Sequence, residues 1–390
     1  MSAQRQINLV AGTSFAFFIG WQIISPIFPL YGLHAGASLV EVGFLLSLFS
    51  TVTLLMRIPS GTIATRLGIW PIMISSCCLQ ILSLVVLFLA PSPLWLFVAM
   101  IIYGISTGSF GPLAASAALN LATPDRRGEV TGRYYFAIGL ALFLGPVLTS
   151  ILLWLLTFRQ LFLAILFFPL SALIASTALR SGINPRMSGH SALNPQRETT
   201  RQLFALLKKR RIVVLLAVTV LFFSCEGFFS TLFPVYGQEV LHLSPSAISI
   251  LFAFFGGVNA SSRIPVGRLS DDIGRKAPLL LAYGLSAFAF IVLARATRFP
   301  FLALGMVIYG VAWGMRVPPS SALLADSLAP HELPVAMACL WMAADLGFSI
   351  GAALAGPFGS ITSLSTILYW AAFINVASML LIQAGLRDAT

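Results

Sequence analysis

Charged residues are scarce in this chain, because Asp, Glu, Lys and Arg together make up only 9% of its 390 residues. A soluble domain carries about 25% charged and about 45 to 50% apolar residues, whereas 58% of this chain is hydrophobic. Apolar runs of about 20 residues recur throughout, and a helix of that length spans a hydrocarbon core about 30 Å thick. Runs such as "LSLVVLFLA" do not alternate in polarity, which excludes a β-barrel. The sequence therefore predicts an all-α, multi-pass membrane protein.

Cysteine and histidine are also rare, with four residues of each type. Cys77, Cys78, Cys225 and Cys339 all lie in predicted spans, with no CxxC and no histidine at metal-ligand spacing. Neither a disulfide framework nor a metal site is predicted. The sequence also lacks a nucleotide-binding loop, an HExxH motif and a GxSxG motif with a usable histidine. These absences predict a protein that is not an enzyme and needs no cofactor.

Charged or Pro/Gly-rich breaks divide the chain into about twelve predicted spans. They lie near residues 7–31, 40–62, 69–90, 93–119, 131–156, 160–180, 212–236, 244–265, 277–294, 299–325, 334–356 and 363–386. The polar segment 181–211 ends in four consecutive cations, which is typical of a cytoplasmic linker. It separates two predicted bundles of six spans each, residues 1–180 and residues 212–390.

Acidic residues are half as common as basic ones, 12 against 23, and the net charge is +11. Placing the N-terminus in the cytoplasm puts nearly all Lys and Arg on the inner side, as the positive-inside rule expects. The exceptions are Arg159, Arg295 and Arg298 outside, and Arg316 within a span. We expect the protein to lie in the bacterial inner (plasma) membrane, with both termini in the cytoplasm. Anionic lipid of the inner leaflet accounts for the positive charge without a nucleic-acid partner.

An internal repeat relates the two predicted bundles. "FPLYG" at 28–32 returns as "FPVYG" at 233–237, an offset of 205 residues. "RIPSGTIATRLG" from 57 returns as "RIPVGRLSDDIG" from 263, and "IYG" at 102 returns at 308, each offset by 206. Parallel repeats of this kind are common in secondary transporters, whose substrate site lies near the bilayer midplane between the halves.

The stretch "GRLSDDIGRK" at 267–276 resembles the signature of the major facilitator superfamily, G-x-L-x-D-x-x-G-R-K/R. The resemblance covers essentially the whole chain. It implies twelve helices in two pseudo-symmetric bundles and transport of a small-molecule substrate by alternating access. It also implies a monomer. The resemblance does not determine whether the chain belongs to a drug or metabolite efflux branch of the superfamily.

By this resemblance, the charged stretch between the eighth and ninth spans forms a cytoplasmic gate. The residues assigned to it are Arg263, Gly267, Asp271, Gly274, Arg275 and Lys276. The first-half repeat keeps Arg57, Gly61 and Arg66 but has Thr65 in place of the aspartate, so a symmetric gate is not expected. The alternative is a solvated loop that only fixes the topology.

Ionisable groups at membrane depth are costly, so they indicate transport chemistry. Glu226 and Asp345 are predicted proton-coupling groups, and Arg316 is a predicted substrate contact. Arg316 and Asp345 lie on consecutive spans and are expected to pair, either structurally or as a switch. The superfamily lines its cavity with the first, fourth, seventh and tenth spans.

Three further residues are assigned to the substrate cavity. Trp21 and Gln22 occupy the first-half position matching Glu226, and Trp313 lies one turn from Arg316. Their rings and amide could contact substrate, or they could serve as ordinary packing.

The direction of transport leaves alternatives open. "ALFLGPVLTS" keeps only Gly145 and Pro146 of an exporter signature, and "ALAGPF" repeats them as Gly356 and Pro357, where we expect helix packing and bending. The fourth-span arginine of proton-coupled exporters is replaced by Met100. Proton-coupled efflux is the first hypothesis, and proton-coupled uptake of an organic anion or other metabolite is the second. A transport-inactive sensor or assembly factor on the same fold is the alternative from another class.

Overall fold

The computed structural model describes residues 3–121, 127–182, 206–329 and 332–386. This part of the chain forms fourteen helices and contains no strand. In the first half they are α1 (Ala3–Ile24), α2 (Phe28–His34), α3 (Leu39–Leu67), α4 (Ile69–Leu89), α5 (Pro93–Asn120), α6 (Arg127–Leu152), α7 (Phe158–Ile165) and α8 (Phe167–Gly182). In the second half they are α9 (Arg210–Glu239), α10 (Pro245–Ile273), α11 (Lys276–Arg295), α12 (Phe299–Ser327), α13 (Leu333–Ile361) and α14 (Leu364–Gly385).

Within these residues, twelve helical segments are long and apolar enough to cross a membrane, which confirms the predicted all-α fold class. Each corresponds to one predicted span, and the sixth combines α7 with α8 over Phe158–Leu179. Most of the predicted linker, residues 183–205, lies outside the described residues.

The first predicted span is interrupted, whereas its repeat counterpart is continuous. α1 ends at Ile24 and α2 begins at Phe28, while α9 runs unbroken from Arg210 to Glu239. The first half reads "SPIFP" where the second reads "STLFP", so Pro26 stands in place of Thr231. A proline lacks the N–H that continues a helix and disfavours helical backbone at the residue before it. One proline in this stretch is tolerated, and two proline residues three apart break the helix.

The predicted gate segment is mostly part of the eighth spanning helix, and does not lie between the eighth and ninth spans as predicted. α10 continues through Gly267 and Asp271 and ends at Ile273. Its 29 residues extend about 44 Å at the helical rise, well beyond a hydrocarbon core of about 30 Å. Gly274, with φ of +84°, ends the helix in a conformation that suits glycine. Lys276 already begins α11.

The chain divides into two compact units, one of Met1–Ser38 and Leu48–Leu193, the other of Leu39–Ser47 and Asn194–Thr390. Equivalent helices pack within each unit. α1 packs on α6 as α9 packs on α13, and α4 packs on α5 and α8 as α11 packs on α12 and α14. The duplication seen in the sequence is thus present in the packing.

Glycine allows α9 and α13 to approach closely. A Cβ at Gly347 would meet the backbone of Val220, and one at Gly351 would meet the backbone of Ser224. Small residues permit such contacts between membrane helices, where dispersion rather than hydrophobic burial drives association. α13 is therefore held against α9 rather than against α12, its predecessor in the chain.

Gly145 and Gly356, which were assigned to helix packing and bending, also occupy close contacts. Gly145 lies against Gln22 of α1, and Gly356 lies against the backbone of Val40 in its own unit. α6 continues through Pro146 to Leu152, and α13 continues through Pro357 to Ile361.

Candidate functional site

Glu226 lies midway along α9, and each of its carboxylate oxygens accepts a hydrogen bond from a hydroxyl group. Ser230, one turn further along, donates to Oε1 at 3.0 Å. The hydroxyl of Tyr309 on α12 donates to Oε2. Tyr309 is fully buried, and the rings of Phe229, Phe255 and Phe290 surround it.

Arg316 lies about two turns beyond Tyr309 on α12 and is only 3% exposed. Its guanidinium carbon lies 4.7 Å from the ring centroids of both Phe222 and Phe223 and 5.5 Å from that of Trp313. These are cation–π contacts. Its Nε is buried without a hydrogen-bond partner among the described residues. An electrostatic interaction links the guanidinium to Glu226.

A cavity with about 270 Å³ of empty space opens beside Arg316. It is enclosed by α9, α12 and α13, and one wall carries hydroxyl groups next to the guanidinium. The lining residues are Thr219, Phe223, Arg316, Val317, Ser320, Ser321, Leu340, Trp341 and Ala344. Such a mixture of apolar rings and a few polar groups is typical of small-molecule sites.

The predicted ion pair between Arg316 and Asp345 is wrong, since no such pair forms in the described part of the chain. Sequence neighbours were expected to pack together, but α13 is held against α9 by Gly347 and Gly351. Asp345 is half-buried on α13. The acidic group that interacts with Arg316 is Glu226.

The aromatic residues assigned to the cavity occupy different settings. Trp21 stacks on Phe49 with centroids 4.1 Å apart, and it lies 5.4 Å from the ring of Tyr103. Gln22 is held against Gly145 of α6. Trp313, in contrast, lies beside Arg316, with its indole Nε1 buried and unpartnered among the described residues.

Arg275 joins the ends of α10 and α12 through a cluster of charges. Its Nε donates to Asp326 at 2.9 Å, and its Nη1 donates to Asp271 and, at 3.3 Å, to Ser270. Hydrogen bonds to Asp271 and then Asp326 raise the pKa of Arg275 above its ordinary value. Since Asp271 and Asp326 are exposed, water and salt screen this cluster.

The other residues of the predicted gate lie apart from Arg275. Arg263 lies on α10 about two turns before Asp271. Its Nε donates to Asn259 at 3.1 Å, and its guanidinium lies 5.6 Å from the centroid of Trp313. Lys276 is the first residue of α11.

In the first half, Arg57, Gly61 and Arg66 lie on α3. A Cβ at Gly61, or at Gly267 on α10, would meet no atom within 4 Å. Among the described residues, neither glycine is therefore needed for a close helix contact.

Sequence reasoning missed Tyr309, Ser230 and Asp326. Tyr309 was visible only as the middle letter of the repeated "IYG", and nothing in that repeat identifies the partner of its hydroxyl. Ser230 follows Glu226 by four residues, a spacing that places two side chains on one helix face. Asp326 follows the tenth predicted span just as Asp271 follows the eighth, so the sequence could have placed both carboxylates on the same side of the membrane.

The chain was compared with known proteins. The profile of the Major Facilitator Superfamily matches residues 10–294 and 239–388. A multidrug resistance protein B homolog from Mycobacterium tuberculosis is 26% identical over 377 residues, which cover 80% of this chain and 67% of the relative. The multi-drug resistance efflux pump PmrA of Streptococcus pneumoniae is 21% identical over 368 residues, covering 90% of this chain and 88% of PmrA.

Among solved structures, the human organic anion transporter MFSD10 superposes with a TM-score of 0.71 at 18% identity, over 98% of this chain and 100% of that chain. This likeness concerns the fold. The family profile, in contrast, spans nearly the whole sequence and agrees with the twelve spans. The chain therefore belongs to the Major Facilitator Superfamily, a family of membrane transporters and not of enzymes.

Proposed function

We propose that this protein couples the movement of a small organic molecule to protons by alternating access, with Glu226 as the main proton-binding group. The supporting observation is that two hydroxyl groups, those of Tyr309 and Ser230, hydrogen-bond the carboxylate inside a membrane-spanning helix. A hydroxyl can donate to an ionised carboxylate and can rotate to accept from a protonated one. Glu226 can therefore change protonation state without leaving a buried polar group unsatisfied.

Asp345 is the second proton-binding candidate in this proposal. It lies within the membrane-spanning part of α13, where an ionisable side chain is costly unless it serves a purpose.

Export is the first direction that we propose. The names of two relatives, a multidrug resistance protein homolog and a multi-drug resistance efflux pump, support it. Uptake of an organic anion is the second, and the unpartnered Nε of Arg316 beside the cavity favours it. A transport-inactive protein is disfavoured because Glu226, Arg316 and the cavity form a buried polar site that a scaffold does not need.

We also propose that the Arg275 cluster acts as the gate on the cytoplasmic side, with Asp326 as its additional member. Its three charges connect the ends of α10 and α12 and are exposed enough to separate and re-form. A monomer in a bacterial inner membrane, with both termini in the cytoplasm, completes the proposal.

The test is proton flux in inverted membrane vesicles with an acid interior. Lipophilic cations, neutral drugs, sugars and organic anions are added one at a time to wild type and to Glu226→Gln. Proton release triggered by a compound added outside indicates antiport and hence export. Release that occurs only when the compound is loaded inside with the protons indicates symport.

Glu239→Gln is the matched control, because Glu239 is exposed at the far end of the same helix. Substrate-dependent proton release should disappear in Glu226→Gln and persist in the control. If Glu226→Gln behaves like wild type while Asp345→Asn loses the signal, the main proton-binding role passes from Glu226 to Asp345.

A further inference from the structure

Arg316 presents a buried positive charge whose immediate neighbours are aromatic rings. Phe222, Phe223 and Trp313 contact the guanidinium, and its Nε has no hydrogen-bond partner among the described residues. Burying an ionised group is costly unless it is paired and hydrogen-bonded. Since Arg316 also lines the cavity, a ligand that enters there reaches the guanidinium.

We infer that this cavity binds a small carboxylate with a flat, apolar body. A guanidinium matches a carboxylate with two parallel N–H···O bonds. The rings of Phe223 and Trp341 line the same cavity and offer faces for a flat apolar body. The empty space of about 270 Å³ includes space open to solvent, so it sets no limit on the size of the apolar body.

The lining disfavours other ligand classes. None of the nine lining residues, all in the described part of the chain, is acidic, so the lining offers a cationic compound Arg316 and no carboxylate. A neutral compound would displace water from the guanidinium without replacing its hydrogen bonds. The hydroxyl groups of Thr219, Ser320 and Ser321 supply further donors to an anion.

Resting on the proposed role of Glu226, the same geometry predicts how an anion and a proton are linked. Phe222 contacts Arg316 and lies one helical turn, about 6 Å, before Glu226. A carboxylate bound at Arg316 would share the guanidinium with an ionised Glu226, and the two negative charges would repel each other. Anion binding and protonation of Glu226 therefore promote each other.

Other ionisable groups on α9 and on the helices around it enter the same balance. They are Tyr309 and Arg316 on α12, Tyr283 on α11, Cys225 on α9 itself, Asp345 and Cys339 on α13, Tyr369 on α14 and Arg263 on α10. Because anion binding and protonation of Glu226 promote each other, the anion and the proton cross the membrane together and carry no net charge. An inward proton gradient then drives uptake, which corresponds to the second direction proposed above.

The test is isothermal titration calorimetry of the purified full-length protein in detergent with 1-naphthoate, neutral 1-naphthamide and cationic 1-naphthylmethylammonium. We expect 1-naphthoate to bind at least tenfold more tightly than the other two. Arg316→Gln should lose at least tenfold in affinity for 1-naphthoate, whereas Arg295→Gln, outside the cavity, should bind like wild type.

Thermal unfolding checks that each variant is folded, and Arg316→Lys serves if Arg316→Gln is not. A lysine keeps the charge but loses the paired N–H donors, so an intermediate affinity is expected. Equal affinity for 1-naphthoate and 1-naphthamide, or wild-type affinity in Arg316→Gln, overturns the inference.

Repeating the titration in buffers of different ionisation enthalpy measures proton uptake. Wild type should take up a proton with 1-naphthoate, and Glu226→Gln should bind without proton uptake. Arg316-dependent binding with unchanged proton uptake in Glu226→Gln would support the anion site and refute the proton role. If 1-naphthoate does not bind but another compound triggers proton flux that depends on Glu226, the anion site is refuted and the proton role is supported.

Discussion

The hydroxyl of Tyr309 donates a hydrogen bond to the carboxylate of Glu226, and this contact has an altered counterpart in the first half. There, Tyr103 lies against Trp21, the residue that matches Glu226 in the repeat, with ring centroids 5.4 Å apart. The hydroxyl of Tyr103 instead accepts a hydrogen bond from Gln80 at 2.7 Å. The two halves thus keep the same helix contact, but one half fills it with an aromatic residue and the other with an acid.

Tyr309→Phe should shift the pH dependence of transport. The change keeps the buried ring and removes one hydrogen bond, which contributes about 1.5 to 3 kcal/mol to the ionised carboxylate but only about 0.5 to 1.5 kcal/mol to the protonated one. The difference is about 1 kcal/mol, so half-maximal proton-coupled transport should move by up to about 1 unit towards higher pH. Flux measured across a pH series provides the check.

Tyr103→Phe is the matched control for that shift, because its hydroxyl bonds to an amide and not to an acid. An unchanged pH profile in Tyr309→Phe, or an equal shift in both variants, would contradict the role given to the Tyr309 hydroxyl.

Gly351→Ala should destabilise the second unit. A Cβ at this position would collide with the backbone of Ser224, which cannot rotate away. Overpacking of this kind costs about 1 to 3 kcal/mol. Unfolding in detergent should report the loss, whereas Gly12→Ala, whose Cβ meets no atom within 4 Å, should be neutral or slightly stabilising.

Removing one acid from the Arg275 cluster should have a small effect that depends on salt. Because the folded pKa of Arg275 is raised, its contribution to stability is complete below its ordinary pKa and is lost only in strong base. Salt is therefore the useful variable, and Asp326→Asn should cost less than about 1 kcal/mol at low salt. The difference from wild type should shrink at about 1 M salt, where the screening length is about 3 Å.

The ion pair between Lys209 and Glu332 should show pairwise coupling. Lys209 Nζ lies 2.9 Å from Glu332 Oε2 and connects the beginnings of α9 and α13. Each alanine substitution should lower the free energy of unfolding by up to about 1 kcal/mol, and the double variant by less than the sum. Strict additivity would show that the pair contributes nothing to stability.

The twelve spans and the duplication could be predicted because they depend on information local to the sequence. Apolar run length determines whether a helix can span a bilayer, and matching segments can be recognised without coordinates. The ends of the helices could be predicted less well, because α10 remains helical beyond the length that crosses a bilayer and ends only before Gly274.

The partners of Arg316 could not be predicted, because chain order does not determine which membrane helices touch. The contact between α9 and α13 depends on Gly347 and Gly351 facing backbone at Val220 and Ser224. That match is a property of two surfaces, and neither sequence segment reveals it alone. The repeat did indicate asymmetry, because Thr65 replaces Asp271 in the first half.

The break between α1 and α2 gives the two halves different mechanical properties. A tilt of α1 is absorbed at the three residues 25–27, so α2 need not follow it. α9 is a single rod of 30 residues, about 45 Å long, and a tilt at one end displaces the other end in the opposite sense. Glu226 lies near the middle of that lever. Glu226, the proposed proton-binding group, would thus stay close to the pivot, while the ends of the rod make the larger movements.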